Sequence, residues 1–173
     1  MLNSNALEKY ENKLIDIQEK GLSPYEGHDT VCIVGKKDEE ISVGVSTSGL
    51  FMKKQGRVGD APVSGSGFYA NSDYGSAAAT GLGEDIMKTC ISYEIVQKMK
   101  NGLHAMEACE TAVLEASKML ERKYNACGDI SVVAVDKDGN YGAATNIDEF
   151  PYVVFNQDMD AKILIATDIR KKI

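Results

Sequence analysis

The sequence contains no run of about 18 uninterrupted apolar residues, so it offers no membrane-spanning helix. It has no excess of positive charge: 19 Lys plus Arg stand against 26 Asp plus Glu, a formal net charge of −7. That sign argues against binding nucleic acid or anionic lipid through the overall field of the protein. The N-terminus, MLNSNALEKYENK, has no apolar core behind a basic cap, so no signal peptide is read there and the default compartment is the cytoplasm. Cys32, Cys90, Cys109 and Cys127 are scattered and form no C-x-x-C pair, which leaves a zinc knuckle or thioredoxin-type site without support. Reduced, partly buried thiols are the simpler reading. His28 and His104 are the only histidines, and they form no H-x-x-x-H arrangement. The expected chemistry uses no metal, no cofactor and no redox cysteine.

What is present is enough for one domain. The chain has 173 residues, 43% of them hydrophobic and 26% charged, so it can bury a core and is not expected to be disordered. Leu7, Leu14 and Ile17 lie on one stripe of 5–19, which reads as a short amphipathic helix. A loop with Gly21, Pro24 and Gly27 follows. Thr30–Val34, the charged turn Lys37–Glu40 and the alternating Ile41–Val45 read as a β-hairpin. After Gly83 the spacing of Ile86, Cys90, Val96 and Met99 predicts a helix that stops at Asn101-Gly102. A second helix is predicted over Ala105–Lys123, with Ala108, Ala112, Val113, Ala116, Met119 and Leu120 inward. Ile130–Val135, the turn Asp136–Asn140 and Tyr141–Asn146 read as a second hairpin, with further short strands at Tyr152–Phe155 and Lys162–Ala166. Strands, then helices, then strands favour an α+β class over alternating βαβ.

Between Gly56 and Gly83 lie seven of the 16 glycines, a composition that suits backbone held close to something. Gly81-Leu82-Gly83 opening a helix is similar to a dinucleotide loop. However, Ile86 stands where the third glycine of G-x-G-x-x-G would be, and Asn71–Ala79 does not read as a convincing strand. No G-K-[ST] is present. Taken singly, Arg57 with Asp60 reads as a surface ion pair, Thr47 as a strand residue and Thr80-Gly81 as a helix N-cap.

The ordered set reads differently. His28-Asp29-Thr30, Ser46-Thr47-Ser48-Gly49, Gly56-Arg57-Val58-Gly59-Asp60-Ala61-Pro62, Gly65-Ser66-Gly67-Phe68-Tyr69-Ala70 and Ala77-Ala78-Ala79-Thr80-Gly81-Leu82-Gly83 follow one another in the chain. In series they resemble the glycosylasparaginase (aspartylglucosaminidase) family of N-terminal nucleophile hydrolases. The resemblance covers about 7–155. It implies an αββα sandwich, of which this chain holds the β-subunit half (30–173) and a short tail of the α segment (1–29), one domain in all. It also implies self-cleavage between Asp29 and Thr30, assisted by Asp29, which frees Thr30 as the nucleophile. Thr47 would hydrogen-bond Thr30. The Thr80 hydroxyl and the Gly81 amide would form the oxyanion hole. Arg57, Asp60, Gly81 and Gly83 would hold the substrate, a small molecule with free α-amino and α-carboxyl groups.

These residue types suit that chemistry. A threonine hydroxyl is a poor nucleophile until a base takes its proton, and the α-amine of a chain-terminal threonine, with an ordinary pKa near 8, is such a base. A guanidinium fork suits a carboxylate, and a carboxylate suits an ammonium. In the family a long α segment precedes H-D-T, so a separately encoded α segment and an oligomer of αβ units are expected partners. Cys32 stands where the family usually has glycine, and Glu84 is shared with the related plant-type asparaginases and isoaspartyl peptidases. The alternatives are therefore an isoaspartyl peptidase or L-asparaginase with the same machinery, and a non-catalytic truncated subunit.

Overall fold

The structure, a computed structural model, describes residues 7–12, 14–15, 28–50 and 53–172, with the side chains of His28 and Asp29 outside the description. Contacts group the chain into two units, 1–30 with 47–58 and 31–46 with 59–173. In the first unit 7–12 and 14–15 are helical, as the stripe of Leu7 and Leu14 predicts, and Leu7, Tyr10 and Ile15 are exposed there. The predicted continuation through Ile17 to Glu19 lies outside the described residues.

Strands β1 (His28–Lys37) and β2 (Glu40–Leu50) pair as a two-stranded sheet. The hairpin predicted for Thr30–Val45 is present and longer than its sequence signal. Its tight turn places Asp38 at φ 52°, in the left-handed region that aspartate tolerates.

The second unit is built on a four-stranded antiparallel meander of β3 (Phe68–Asn71), β4 (Gly75–Gly81), β5 (Ile130–Asp136) and β6 (Tyr141–Thr145). Two helices, α2 (Ile91–Lys100) and α3 (Ala105–Tyr124), follow the short α1 (Gly83–Thr89). α2 packs on β3 and β4, and α3 packs on β5 and β6. Ala77, Ala79, Val132, Ala134 and Ala144 of the sheet meet Ile95, Val96, Ala112, Val113 and Leu120 of the helices in one core. Helices gathered on one face of an antiparallel sheet make this an α+β unit. The hairpin of β7 (Glu149–Asn156) and β8 (Met159–Thr167) follows, then a 3-10 turn at Ile169–Lys171. Val153, Phe155, Ile163 and Ile165 on one face of that hairpin are exposed.

Two expectations are corrected. Asn71–Ala79 does not read as a strand, yet Gly75–Gly81 is β4, bonded on both sides and with Ser76 through Ala79 fully buried. Alanine is a poor strand former on an open surface, but here small side chains let α2 approach the sheet, and burial on both faces decides the outcome. The single helix predicted after Gly83 is two. Cys90 takes φ 46° between α1 and α2, and it is exposed where an inward position was expected. The Thr89 hydroxyl donates to the carbonyls of Asp85 and Ile86 at 3.1 Å each, capping the last turn of α1 from within. Ile86, Val96 and Met99 are buried as expected.

Candidate active site

The predicted site residues fall in both units, and each group has its own geometry. In the first unit the hairpin pairs Thr30 with Thr47. The Thr30 hydroxyl donates to the Thr47 hydroxyl oxygen at 3.1 Å. Thr47 also accepts from the Gly49 amide at 2.9 Å, and Gly49 itself takes φ 82°. With two donors on its oxygen, Thr47 is fixed in rotamer and polarises the hydroxyl of Thr30. For Asp29 the structure gives the backbone, within β1, and the side chain lies outside the description. Arg57 is half-buried in the loop after β2, and its amide donates to the Lys54 carbonyl at 3.1 Å.

In the second unit, Asp60, Thr80, Gly81 and Gly83 lie around the end of β4. Asp60 opens a turn closed by Val63 N–H at 2.8 Å. The carbonyl of Asp60 lies so near Gly67 that a Cβ there would sit 2.6 Å from it, and the Gly67 carbonyl in turn accepts from Ala79 N–H at 2.9 Å. The Asp60 loop is thus locked against β4 just before Thr80. Thr80 is half-buried and points to the sheet face away from the helices, with Ser76 and Ala78. Its register partner on β5 is Ser131, whose hydroxyl lies 2.7 Å from that of Thr145 on β6, so three hydroxyl residues cross three strands in line.

Gly81 has φ 136°, and a Cβ there would be 2.0 Å from the Asp129 carbonyl. Only glycine fits. Leu82 N–H donates to the same carbonyl at 2.8 Å, and Gly83 is buried as the first residue of α1. A strand therefore does precede Gly81-Leu82-Gly83, contrary to expectation. Ile86 remains the bar to a dinucleotide loop, being fully buried in the core where a glycine would be needed.

Cys32 reaches the same end of β4. Its thiol donates to the Ala79 carbonyl at 3.4 Å. Burial, helped by the negative charge of Asp60, pushes that thiol up to about 11, so it stays protonated. Sequence reasoning placed Cys32 only as a departure from glycine and did not find its contact. It also missed two buried polar side chains, Asp85 and Asn146, whose bonds to Gly128 and Ile130 carry no motif. Among the described residues no group of three His, Cys, Asp or Glu side chains could hold a metal ion, and no helix is long and apolar enough to cross a membrane.

Comparison with known proteins identifies the family. The model of the family described as asparaginase matches residues 2–165. The N(4)-(Beta-N-acetylglucosaminyl)-L-asparaginase of Elizabethkingia miricola is 32% identical over 160 residues, which cover 91% of this chain and 47% of that protein. The enzyme of the same name from Rattus norvegicus is 35% identical over 134 residues, 75% of this chain and 37% of its own length. A plant-type L-asparaginase of Pyrococcus furiosus is 38% identical over 130 residues, 75% of this chain and 40% of its own length. The chain spans less than half the length of each of these relatives.

Proposed function

The chain belongs to the asparaginase family, and on that premise we propose that it is an amidohydrolase whose nucleophile is Thr30, freed by cleavage after Asp29. The observation that carries the reading is the 3.1 Å hydrogen bond from the Thr30 hydroxyl to Thr47. In the intact chain the Thr30 nitrogen is an amide and has no basic lone pair. Cleavage turns it into an amine that can take the hydroxyl proton, so the uncut chain is a zymogen.

The step then balances simply. The Thr30 oxygen attacks the β-carbonyl carbon of an asparagine-type substrate while its proton passes to the α-amine. The C–N bond breaks as the leaving nitrogen takes that proton. An ester on Thr30 remains, and water cleaves it to release aspartate. Thr80 and the Gly81 amide are proposed as donors to the oxyanion, a role in which one lost donor costs roughly 3–4 kcal/mol of barrier. Arg57 would clamp the substrate α-carboxylate, Asp60 would hold the α-ammonium, and Gly83 is proposed as a further substrate contact. Glycosylated asparagine is the proposed substrate, because His-Asp rather than glycine precedes Thr30. The αββα sandwich belongs to the same reading.

Intact-mass analysis tests the proposal. The expected product is a fragment beginning at Thr30, absent in Thr30→Ala. Cleavage at that bond persisting in Thr30→Ala overturns the mechanism. Relative rates on glycosylated asparagine, β-aspartyl dipeptides and asparagine then decide between glycosylasparaginase and the plant-type enzymes.

A further inference from the structure

Two buried side chains converge on one short segment without any role in the site described above. Asn146 follows the last β5–β6 pair, Ser131 with Thr145, and is 3% exposed. Its backbone N–H donates to the Ile130 carbonyl at 3.1 Å. Its Oδ1 accepts from Ile130 N–H at 2.7 Å, and its Nδ2 donates to the Gly128 carbonyl at 2.9 Å. The carboxamide thus continues the ladder where strand backbone has ended. Asp85 reaches the same segment from α1. Its Oδ2 accepts from Gly128 N–H at 2.8 Å, while its Oδ1 takes the Lys88 ammonium at 2.8 Å.

Both backbone groups of Gly128 and both of Ile130 are therefore held. Between them stands the Asp129 carbonyl, which accepts from Leu82 N–H at 2.8 Å and leaves no room for a Cβ at position 81. The placing of that one carbonyl sets the attitude of the backbone at Gly81 and Leu82. A Cβ at Gly128 would lie 2.5 Å from the Leu82 side chain, so the segment packs closely against Leu82.

We propose that Asn146 and Asp85 are positioning residues that hold 128–130 in place so that the Gly81 amide stays set as an oxyanion donor. The inference rests on the active-site reading given above. Neither side chain touches the reacting atoms. They act by keeping a donor from drifting, and donors held in advance lower a barrier because nothing need reorganise during reaction. A purely structural role would affect folding and leave turnover per folded molecule unchanged.

Three variants of the full chain separate these roles. Asp85→Ala removes the acceptor for Gly128 N–H, whereas Asp85→Asn keeps an oxygen there. Asn146→Asp keeps the acceptor for Ile130 N–H but sets a carboxylate against the Gly128 carbonyl. Amide exchange by NMR should show Leu82 N–H exchanging at least tenfold faster in Asp85→Ala and Asn146→Asp and near wild type in Asp85→Asn. Val132 and Ala134 should not change. In kinetics kcat should fall at least tenfold in the first two variants with KM within twofold, and Asp85→Asn should rescue it. Unchanged Leu82 exchange in a folded Asp85→Ala or Asn146→Asp overturns the clamp, as does a lowered Tm with unaltered kcat. Absence of any turnover in the wild-type chain overturns the catalytic reading alone, and the exchange measurement still decides the clamp.

Discussion

The Cys32 thiol donates to the carbonyl of Ala79 at 3.4 Å, joining β1 to β4 one residue before Thr80. Burial and the charge of Asp60 raise this thiol to about 11 from an ordinary 9.0. It is held as a hydrogen-bond donor and is a poor nucleophile.

Thiol labelling at pH 8 should therefore modify the exposed Cys90 first, with Cys32 and the fully buried Cys109 slow until the chain unfolds. Because the folded pKa of Cys32 lies above the unfolded one, its contribution to stability is complete below about pH 9 and is lost as pH rises through 11. A denaturation series should show that loss, and Cys32→Ala should reduce it.

Removing the acceptor of the threonine pair gives a second prediction. Thr47→Ala leaves the Thr30 hydroxyl without the oxygen it donates to and frees Gly49 N–H. A lost hydrogen bond of this kind is worth about 1–2 kcal/mol, or roughly tenfold in rate. Cleavage before Thr30, followed by mass spectrometry, should slow by about that factor, and Thr47→Ser should restore it. Equal cleavage rates in Thr47→Ala and wild type would remove Thr47 from the mechanism.

Gly81→Ala should be severe. The new Cβ would lie 2.0 Å from the Asp129 carbonyl at φ 136°, where alanine is strained even with open space around it. Overpacking and backbone strain together suggest a loss of about 3 kcal/mol, a fall in Tm of roughly 6–12 °C for a chain of this size. Calorimetry measures it directly. A Tm within a degree of wild type would mean that the Gly81–Asp129 approach can relax.

Acid should act at Asp168. Hydrogen bonds from the Arg170 guanidinium hold its carboxyl below the ordinary value of 3.8, and Arg170 also donates to the Asn146 carbonyl. A lowered folded pKa contributes stability above about pH 4 that disappears as pH falls through the lowered value. Asp168→Asn should thus be less stable by roughly 1–2 kcal/mol at pH 6, discounted for the half-exposed arginine. The gap from wild type should narrow as pH falls below the ordinary carboxylate value and through the lowered one, as chemical denaturation over a series of acid pH values will show.

Much of this was legible in the residues. The Asp136–Asn140 turn announces itself, and the structure gives the reason: Asp136 Oδ1 accepts from the amides of Asp138 and Asn140. The inward stripe of α3 follows from the spacing of its alanines with Val113 and Leu120, whereas Met119, expected inward, is only half-buried. β4 was not legible, because its alanines carry no strand signature and owe their conformation to the helix packed above them. The break at Cys90 was hidden for a related reason, since Thr89 caps α1 without glycine or proline. The candidate site rests on an ordered series of motifs, since no one of them carries it alone. Asn146 escaped because a carboxamide that stands in for backbone at a strand end has no recurrent neighbourhood in sequence.

The order of strands also bears on how the chain assembles. β3 joins β4 through residues 72–74, and β5 joins β6 through 137–140, but β4 meets β5 only after the 48 residues of 82–129 have been bridged. Closing a loop of 48 residues rather than three costs roughly 2.4 kcal/mol more in chain entropy. The two short hairpins therefore form readily and wait on the helices to bring them together, the step that governs folding speed. Thr80 and Gly81 lie on the edge that closes late, where Ser131 and Asp129 arrive from the far side of the helical pair. Mutations along that seam and in the β5–β6 turn, both formed by the time of that step, should slow folding more than they speed unfolding.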